Sequence, residues 1–186
     1  MQDNYNKFRK EVGSLRNRLV EVHNHAKELF ILAEELDGEG FSDFIQPISE
    51  QRHAMDHLVR AFYRESQDDF GSDDDFKYVV NCYEKALGHE YRCFFDCADW
   101  VGVCLREKAI KELSQYAPEQ IRIAFPDWGS SIRLKMERIN KEISQIRNDK
   151  DISIETAVLS LVGKYNQVLN DLVDGCEKIA GRIGLL

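Results

Sequence analysis

An all-α fold, an elongated up-down bundle of four to five long amphipathic helices forming a single domain over residues 1–186, is predicted by three features of this sequence. Apolar residues recur in alternating steps of four and three over long stretches, which is the period of a helix with one buried face. Glycines, prolines and acidic runs separate those stretches. No run of alternating β-branched residues bounded by tight turns competes with them. A chain of 186 residues that is 43% hydrophobic is long enough to fill one core.

The first helix is the most regular. Phe8, Val12, Leu15, Leu19, Val22, Ala26, Leu29, Ala33 and Leu36 form a heptad seam about four repeats long, and Asp37-Gly38-Glu39-Gly40 ends it. A second helix is expected from about Pro47, tolerated in a first turn where its missing N–H is no loss, to about Glu65. Its expected apolar stripe is Ala54, Met55, Leu58, Ala61 and Phe62, beside a polar stripe of Glu50, His53, His57, Arg60 and Arg64. The linker 66–75 follows, in which Ser72 and Asp75 have the spacing of a capping box. Its acids lack the EF-hand order, so a solvated loop and helix cap is preferred to a calcium site.

The third helix should run from about Asp74 to Tyr116, with Gly88 and Gly102 marking places for a bend or a close neighbour. Pro118 opens a short helix that Phe125-Pro126-Asp127-Trp128-Gly129 breaks. Ile132, Met136, Ile139, Ile143 and Ile146 mark the next, and 147–151 is a short polar turn. Ile154, Val158, Leu161, Tyr165, Val168, Leu172, Cys176 and Ile179 mark the last. So short a connection makes the last two helices an antiparallel hairpin, against which the first helix is expected to pack.

The formal charge of −8 is concentrated: residues 34–75 carry thirteen acidic side chains against Arg52, Arg60 and Arg64, and the remainder of the chain nets +2. Such a surface repels phosphate backbones, so non-specific DNA binding is not expected. Lys7, Arg9, Lys10, Arg16 and Arg18 leave one local positive region. No apolar run approaches the ~18 residues of a membrane span, and the first seven residues contain no signal-peptide core, so a cytoplasmic protein without membrane association is expected. Cys82, Cys93, Cys97 and Cys104 share one stripe of one helix and read as small apolar fillers, with no Cys-x-x-Cys to favour redox or metal chemistry.

Chemistry-bearing residues gather in two places. In Glu50-Gln51-Arg52-His53-Ala54-Met55-Asp56-His57-Leu58-Val59-Arg60, the arginine, polar residue, three residues, histidine order of Arg52 to His57 resembles the ribonuclease motif of the HEPN superfamily (higher eukaryotes and prokaryotes nucleotide-binding). The resemblance covers about six residues. It implies an all-α domain that dimerises so that two motifs meet, and metal-independent RNA cleavage in which His57 exchanges protons and Arg52 stabilises charge on phosphate. Five residues of continuous helix turn two side chains about 140° apart, so Arg52 and His57 of one chain converge only if the helix begins near Arg52.

The same stripe offers Glu50-x-x-His53 and His53-x-x-x-His57, spacings that align metal ligands. A di-iron bundle needs a second Glu-x-x-His, which is missing, and a zinc site needs a donor from His23, His25 or His89, whose directions the sequence leaves open. No metal or other cofactor is assigned. The second place is 88–100, where His89, Arg92, Asp96 and Asp99 stand among aromatics; Arg92 is expected to pair with Asp96, leaving a spare acid for Arg52, Arg60 or Arg64. With Glu50, His53, Asp56 and Arg60 these residues form an expected polar network that fixes helix register.

The function these readings favour is that of a non-enzymatic helical-bundle interaction or regulatory subunit, acting through protein contacts as a homodimer or within a larger intracellular complex. The alternative is a HEPN-like ribonuclease of toxin or anti-phage type, with RNA as substrate and Arg52 and His57 at a dimer interface.

Overall fold

Six helices make up a computed structural model of the chain, which describes residues 2–36, 45–124, 126, 133–149 and 155–183. They are α1 (Gln2–Leu36), α2 (Ile45–Glu65), α3 (Asp73–Leu113), α4 (Pro118–Ala124), α5 (Arg133–Asp149) and α6 (Glu155–Ile183), with no strand among the described residues. The expected all-α class is therefore the observed one. Among the described residues no helix is long and apolar enough to cross a membrane. By contact the chain divides into two compact units, the boundary falling within α3 between Cys97 and Ala98.

The first unit contains α1, α2 and the first part of α3. The seam of α1 is buried nearly as expected: Phe8, Val12, Leu15, Val22, Ala26, Leu29 and Ala33 are in the core, while Leu19 is half-buried. Contacts from Asn4 to Asp73, Arg16 to Tyr83 and His23 to Glu90 keep a nearly constant offset, so α1 and α3 run parallel. Glu50 meets His89 and Arg92 while Arg64 meets Asp75, so α2 runs antiparallel to α3. Phe8 stacks on Phe76 at 4.6 Å between ring centroids, with Tyr5 and Phe70 around them, and closes the end where α1 and α3 begin.

The cap of α3 is the one its spacing predicts. Asp75 N donates to Ser72 Oγ at 3.2 Å and Ser72 N donates to Asp75 Oδ2 at 2.9 Å, a reciprocal capping box that satisfies two otherwise orphaned donors. Gly71 N adds a third bond to Asp75 Oδ2, and Arg64 of α2 bonds the other oxygen through Nε at 2.7 Å. Hydrogen bonds from Ser72, Gly71 and Arg64 hold the Asp75 carboxyl far below the ordinary carboxylate range. The linker's only described glycine with positive φ is Gly71, at +151°.

In the second unit α5 and α6 pack on each other, as the short connection predicts. Ile139, Ile143, Val162, Tyr165, Val168, Leu169, Leu172, Cys176 and Ile179 are buried together with Val101, Leu105 and Ala109 of α3. Tyr165 Oη donates to Asp99 Oδ1 at 2.5 Å, and Gly102 lies where Ile143 and Leu169 approach α3. The expected positions Ile132 and Ile154 lie outside the described residues, as does most of the 125–132 break.

Three of the four cysteines on α3, Cys82, Cys93 and Cys97, are buried, Cys104 is half-buried, and none of the four is in a disulfide. Burial, with Cys93 beside it, pushes the Cys97 thiol far above its ordinary range, so it remains a protonated filler. The filler reading of the stripe fits this environment.

Candidate functional site

Arg52 stands apart from the polar stripe of α2. Since α2 begins at Ile45, Arg52 lies two turns inside a continuous helix and its side chain points about 140° from that of His57. Arg52 is exposed, whereas His57 is half-buried toward α3. A site made of Arg52 and His57 from the same chain is thus excluded by the helix itself.

His57 joins a different group. Its ring stacks on His89 of α3 at 5.4 Å between centroids and 21° between planes, and His53, one turn earlier, stands 5.2 Å from the same ring. Glu50, one turn earlier again, is buried against α3. Its Oε2 meets His89 Nδ1 at 2.7 Å and accepts from Arg92 Nε at 2.9 Å, while Gln46 Nε2 donates to Oε1 at 3.2 Å. Arg92 Nη2 also lies 2.7 Å from His89 Nδ1. One ring nitrogen cannot donate to Glu50 and accept from Arg92 at once. The carboxylate is acceptor-only, so His89 Nδ1–H donates to Glu50 and Arg92 is held by its Nε bond.

The electrostatics follow from this geometry. Burial by itself lifts the Glu50 carboxyl, but hydrogen bonds from His89 and Arg92 outweigh it and hold Glu50 below the ordinary value, ionised at neutral pH. Burial pushes His57 down, and the charges of His89, Arg60 and Lys85 push it further, against a smaller opposing pull from Asp56. His57 is therefore a neutral imidazole at pH 7.

The other expected pairings are corrected. Arg92 reaches Glu50 across the helix interface instead of Asp96 on its own helix, because a buried carboxylate is the stronger partner. Asp99 takes the Tyr165 hydroxyl. Arg60 pairs with Asp56 on its own exposed face at 2.7 Å, and Arg64 goes to Asp69 and Asp75. Of the expected network, Glu50, His53, His89 and Arg92 come together, joined by His57; Asp56 and Arg60 stand on the surface.

The apolar stripe expected on α2 is corrected as well. Its buried face is Pro47, Glu50, Ala54 and Ala61, with Leu58 half-buried, while Met55 points outward and Phe62, about half exposed, touches the Tyr83 ring of α3 edge-on at 6.3 Å. The outward residues form their own series: Ile45, Ile48, Arg52, Met55, Val59 and Phe62 follow each other in steps of three and four. All six are exposed, Ile45 to 70% and Met55 to 58%. Among the described residues this second heptad seam is left exposed. Its signal was present in the spacing, but the stronger alanine pattern beside it set the choice of face.

A second polar cluster, which sequence reasoning missed, joins α1, α2 and α3. Arg16 Nε donates to Tyr83 Oη at 2.9 Å, and its Nη2 reaches Glu65 at 2.9 Å. Glu90 is buried with its Oε1 3.3 Å from His23 Nδ1 and its Oε2 unpartnered among the described residues, and burial lifts its carboxyl above the ordinary value.

No protein-family model matches the chain, and comparison with curated proteins and with solved structures finds no match either.

Proposed function

We propose that the chain is a non-enzymatic interaction subunit that works through protein contacts, and that the surface it uses is the outward seam of α2, closed by a second copy. The exposed 3-4 series from Ile45 to Phe62 carries this reading. Large apolar side chains exposed in a continuous helical stripe are uncommon on a surface that stays in water. With neighbouring Tyr63, 68% exposed, the stripe runs the length of α2, and burying it against a second copy contributes toward the ~800 Å² per partner of a standard interface.

Self-pairing follows from the symmetry of the stripe. Laid antiparallel about a two-fold axis, Ile45 meets Phe62 of the second copy, Ile48 meets Val59, and Arg52 meets Met55. The Arg52 stem covers Met55 while its guanidinium reaches the acidic flank at Asp56, so its charge has a partner there. Mass measured by sedimentation from about 1 to 100 μM should show a dimer, and the double variant Met55→Glu/Phe62→Glu should be a monomer with unchanged helicity. A wild-type monomer throughout, or a dimer in the double variant, overturns the proposal.

The nuclease alternative makes a different use of the same pairing. Two copies paired through α2 would bring two Arg52 guanidinia together, as the HEPN resemblance implies, whereas each His57 stays on the opposite face against His89 of its own α3. A mixed pool of structured and single-stranded RNA, incubated with the dimer in EDTA, separates the readings. Cleavage lost in both Arg52→Ala and His57→Ala establishes the nuclease; intact RNA leaves the interaction subunit.

A further inference from the structure

The sequence assigns no metal to α2 because the donors on that helix are too few, but α3 brings one more. Glu50, His53 and His89 each present one ligand atom, and the three atoms lie within 4.8 Å of one another. Glu50 and His53 are one turn apart on α2 and His89 comes from α3, so an ion among them would bridge the two helices. We propose that these three side chains bind a borderline transition-metal dication, of which Zn²⁺ fits best.

The donor set argues for that class of ion. One carboxylate oxygen and two imidazole nitrogens make the His₂Glu set of an open zinc site, with a fourth position left for water. Ca²⁺ and Mg²⁺ need more oxygen ligands than one carboxylate supplies. A tetrahedral zinc with bonds of about 2.0–2.1 Å places its donors roughly 3.4 Å apart, so the donors move by about an ångström. Rotations of the His53 and His89 rings cover such a distance without a backbone shift.

The supporting groups are in place as well. Gln46 donates to Glu50 Oε1 at 3.2 Å and orients the carboxylate, and the His57 ring stacks on His89 and steadies its plane. Arg92 is the resident cation of the ion-free state. Its guanidinium shares Glu50 Oε2 with His89, and its side chain is 40% exposed, so it swings into solvent as the metal takes its place. A metal and Arg92 therefore compete for one carboxylate. That competition separates a metal site from a purely structural Glu-His-Arg cluster, in which Arg92 only stabilises.

The test uses the tag-free full-length protein with Co²⁺ as probe, since four-coordinate cobalt gives intense visible absorption, followed by displacement with Zn²⁺. One saturable ion per chain is expected, bleached by zinc. His53→Gln and His89→Gln should each weaken binding at least about tenfold, Arg92→Gln should tighten it, and His25→Gln should leave it unchanged. His53 is exposed and outside the Glu50 hydrogen bonds, so His53→Gln keeps the test decisive if His89→Gln fails to fold. Absence of saturable binding, full affinity in His53→Gln, or weaker binding in Arg92→Gln overturns the proposal. The site does not depend on self-pairing: a monomer that binds cobalt upholds it, and a dimer that does not overturns it.

Discussion

Helices α1 and α2 carry seams of the same spacing and use them in opposite ways. The seam of α1 lies in the core of the first unit, with Phe8, Val12, Leu15, Val22 and Leu29 buried. On α2, Ile45, Ile48, Met55 and Val59 are exposed, and the buried residues are Pro47, Glu50, Ala54 and Ala61. One helix is held by apolar area and the other mainly by charge: Glu50 to His89 and Arg92, Arg64 to Asp75, and Glu65 to Arg16. The same 3-4 pattern thus marks an apolar face without saying whether the chain buries it.

The sharpest way to break this comparison is to remove equal chemistry from both seams. Leu15→Ala should cost about 2–5 kcal/mol, because the side chain is 5% exposed and its loss leaves a cavity against α3. Urea denaturation at fixed protein concentration reads the change. A cost under about 1 kcal/mol would mean that the seam of α1 packs no better than that of α2.

The polar anchoring of α2 gives the next effect. Ser72→Ala removes half of the capping box and should destabilise by about 1 kcal/mol, with α3 fraying first at Asp73. Asp75 sharpens this, since it joins the cap to Arg64 of α2. Its carboxyl is depressed in the folded protein, so its contribution is full above the unfolded aspartate value of about 3.9 and fades as pH falls through the folded one. Asp75→Asn should lower Tm at pH 7, and the gap to wild type should narrow steadily below about pH 4. A gap independent of pH would show that Asp75 acts through shape and not charge.

How much of this was legible in the sequence depends on what sets each feature. The α1 seam, the capping box at Ser72, the short helix that Pro118 opens and the packing of α5 on α6 are local or periodic, and all were readable. The inward face of α2 was not, because alanines and large apolar residues on neighbouring stripes give almost the same period, and only tertiary packing chooses between them. Glu50, His53 and His89 were each visible as candidates. Their meeting depends on the antiparallel register of α2 on α3, which no spacing within either helix encodes. Arg92 was misjudged for the same reason: a local i,i+4 partner was in view, while a buried carboxylate forty-two residues away was not.

Gly102 yields a smaller and opposite effect. A Cβ there would meet Arg106 Nη1 at 3.5 Å, Leu169 Cδ2 at 3.6 Å and Ile143 Cδ1 at 3.7 Å, all ordinary contact distances. Gly102→Ala should therefore raise stability by roughly 0.5–1 kcal/mol through helix propensity alone. A loss would show that α5 and α6 need closer approach to α3 than these distances imply.

The smallest effect completes the comparison with Leu15. Val59 is 54% exposed on the outward seam, so Val59→Ala should change the stability of the dilute monomer by no more than about 0.5 kcal/mol. In the self-paired state Val59 meets Ile48 of the second copy, and there the same substitution buries less apolar area on both sides of the axis. Each site loses two methyl groups, and the two-fold axis doubles the loss, at about 0.8 kcal/mol per buried methyl-sized group. The dimer dissociation constant should consequently rise by at least tenfold while unfolding of the dilute monomer stays nearly unchanged. If both quantities stay unchanged, the outward seam is not an interface between copies. If monomer stability falls as far as in Leu15→Ala, the seam is covered within the chain and the two helices are alike after all.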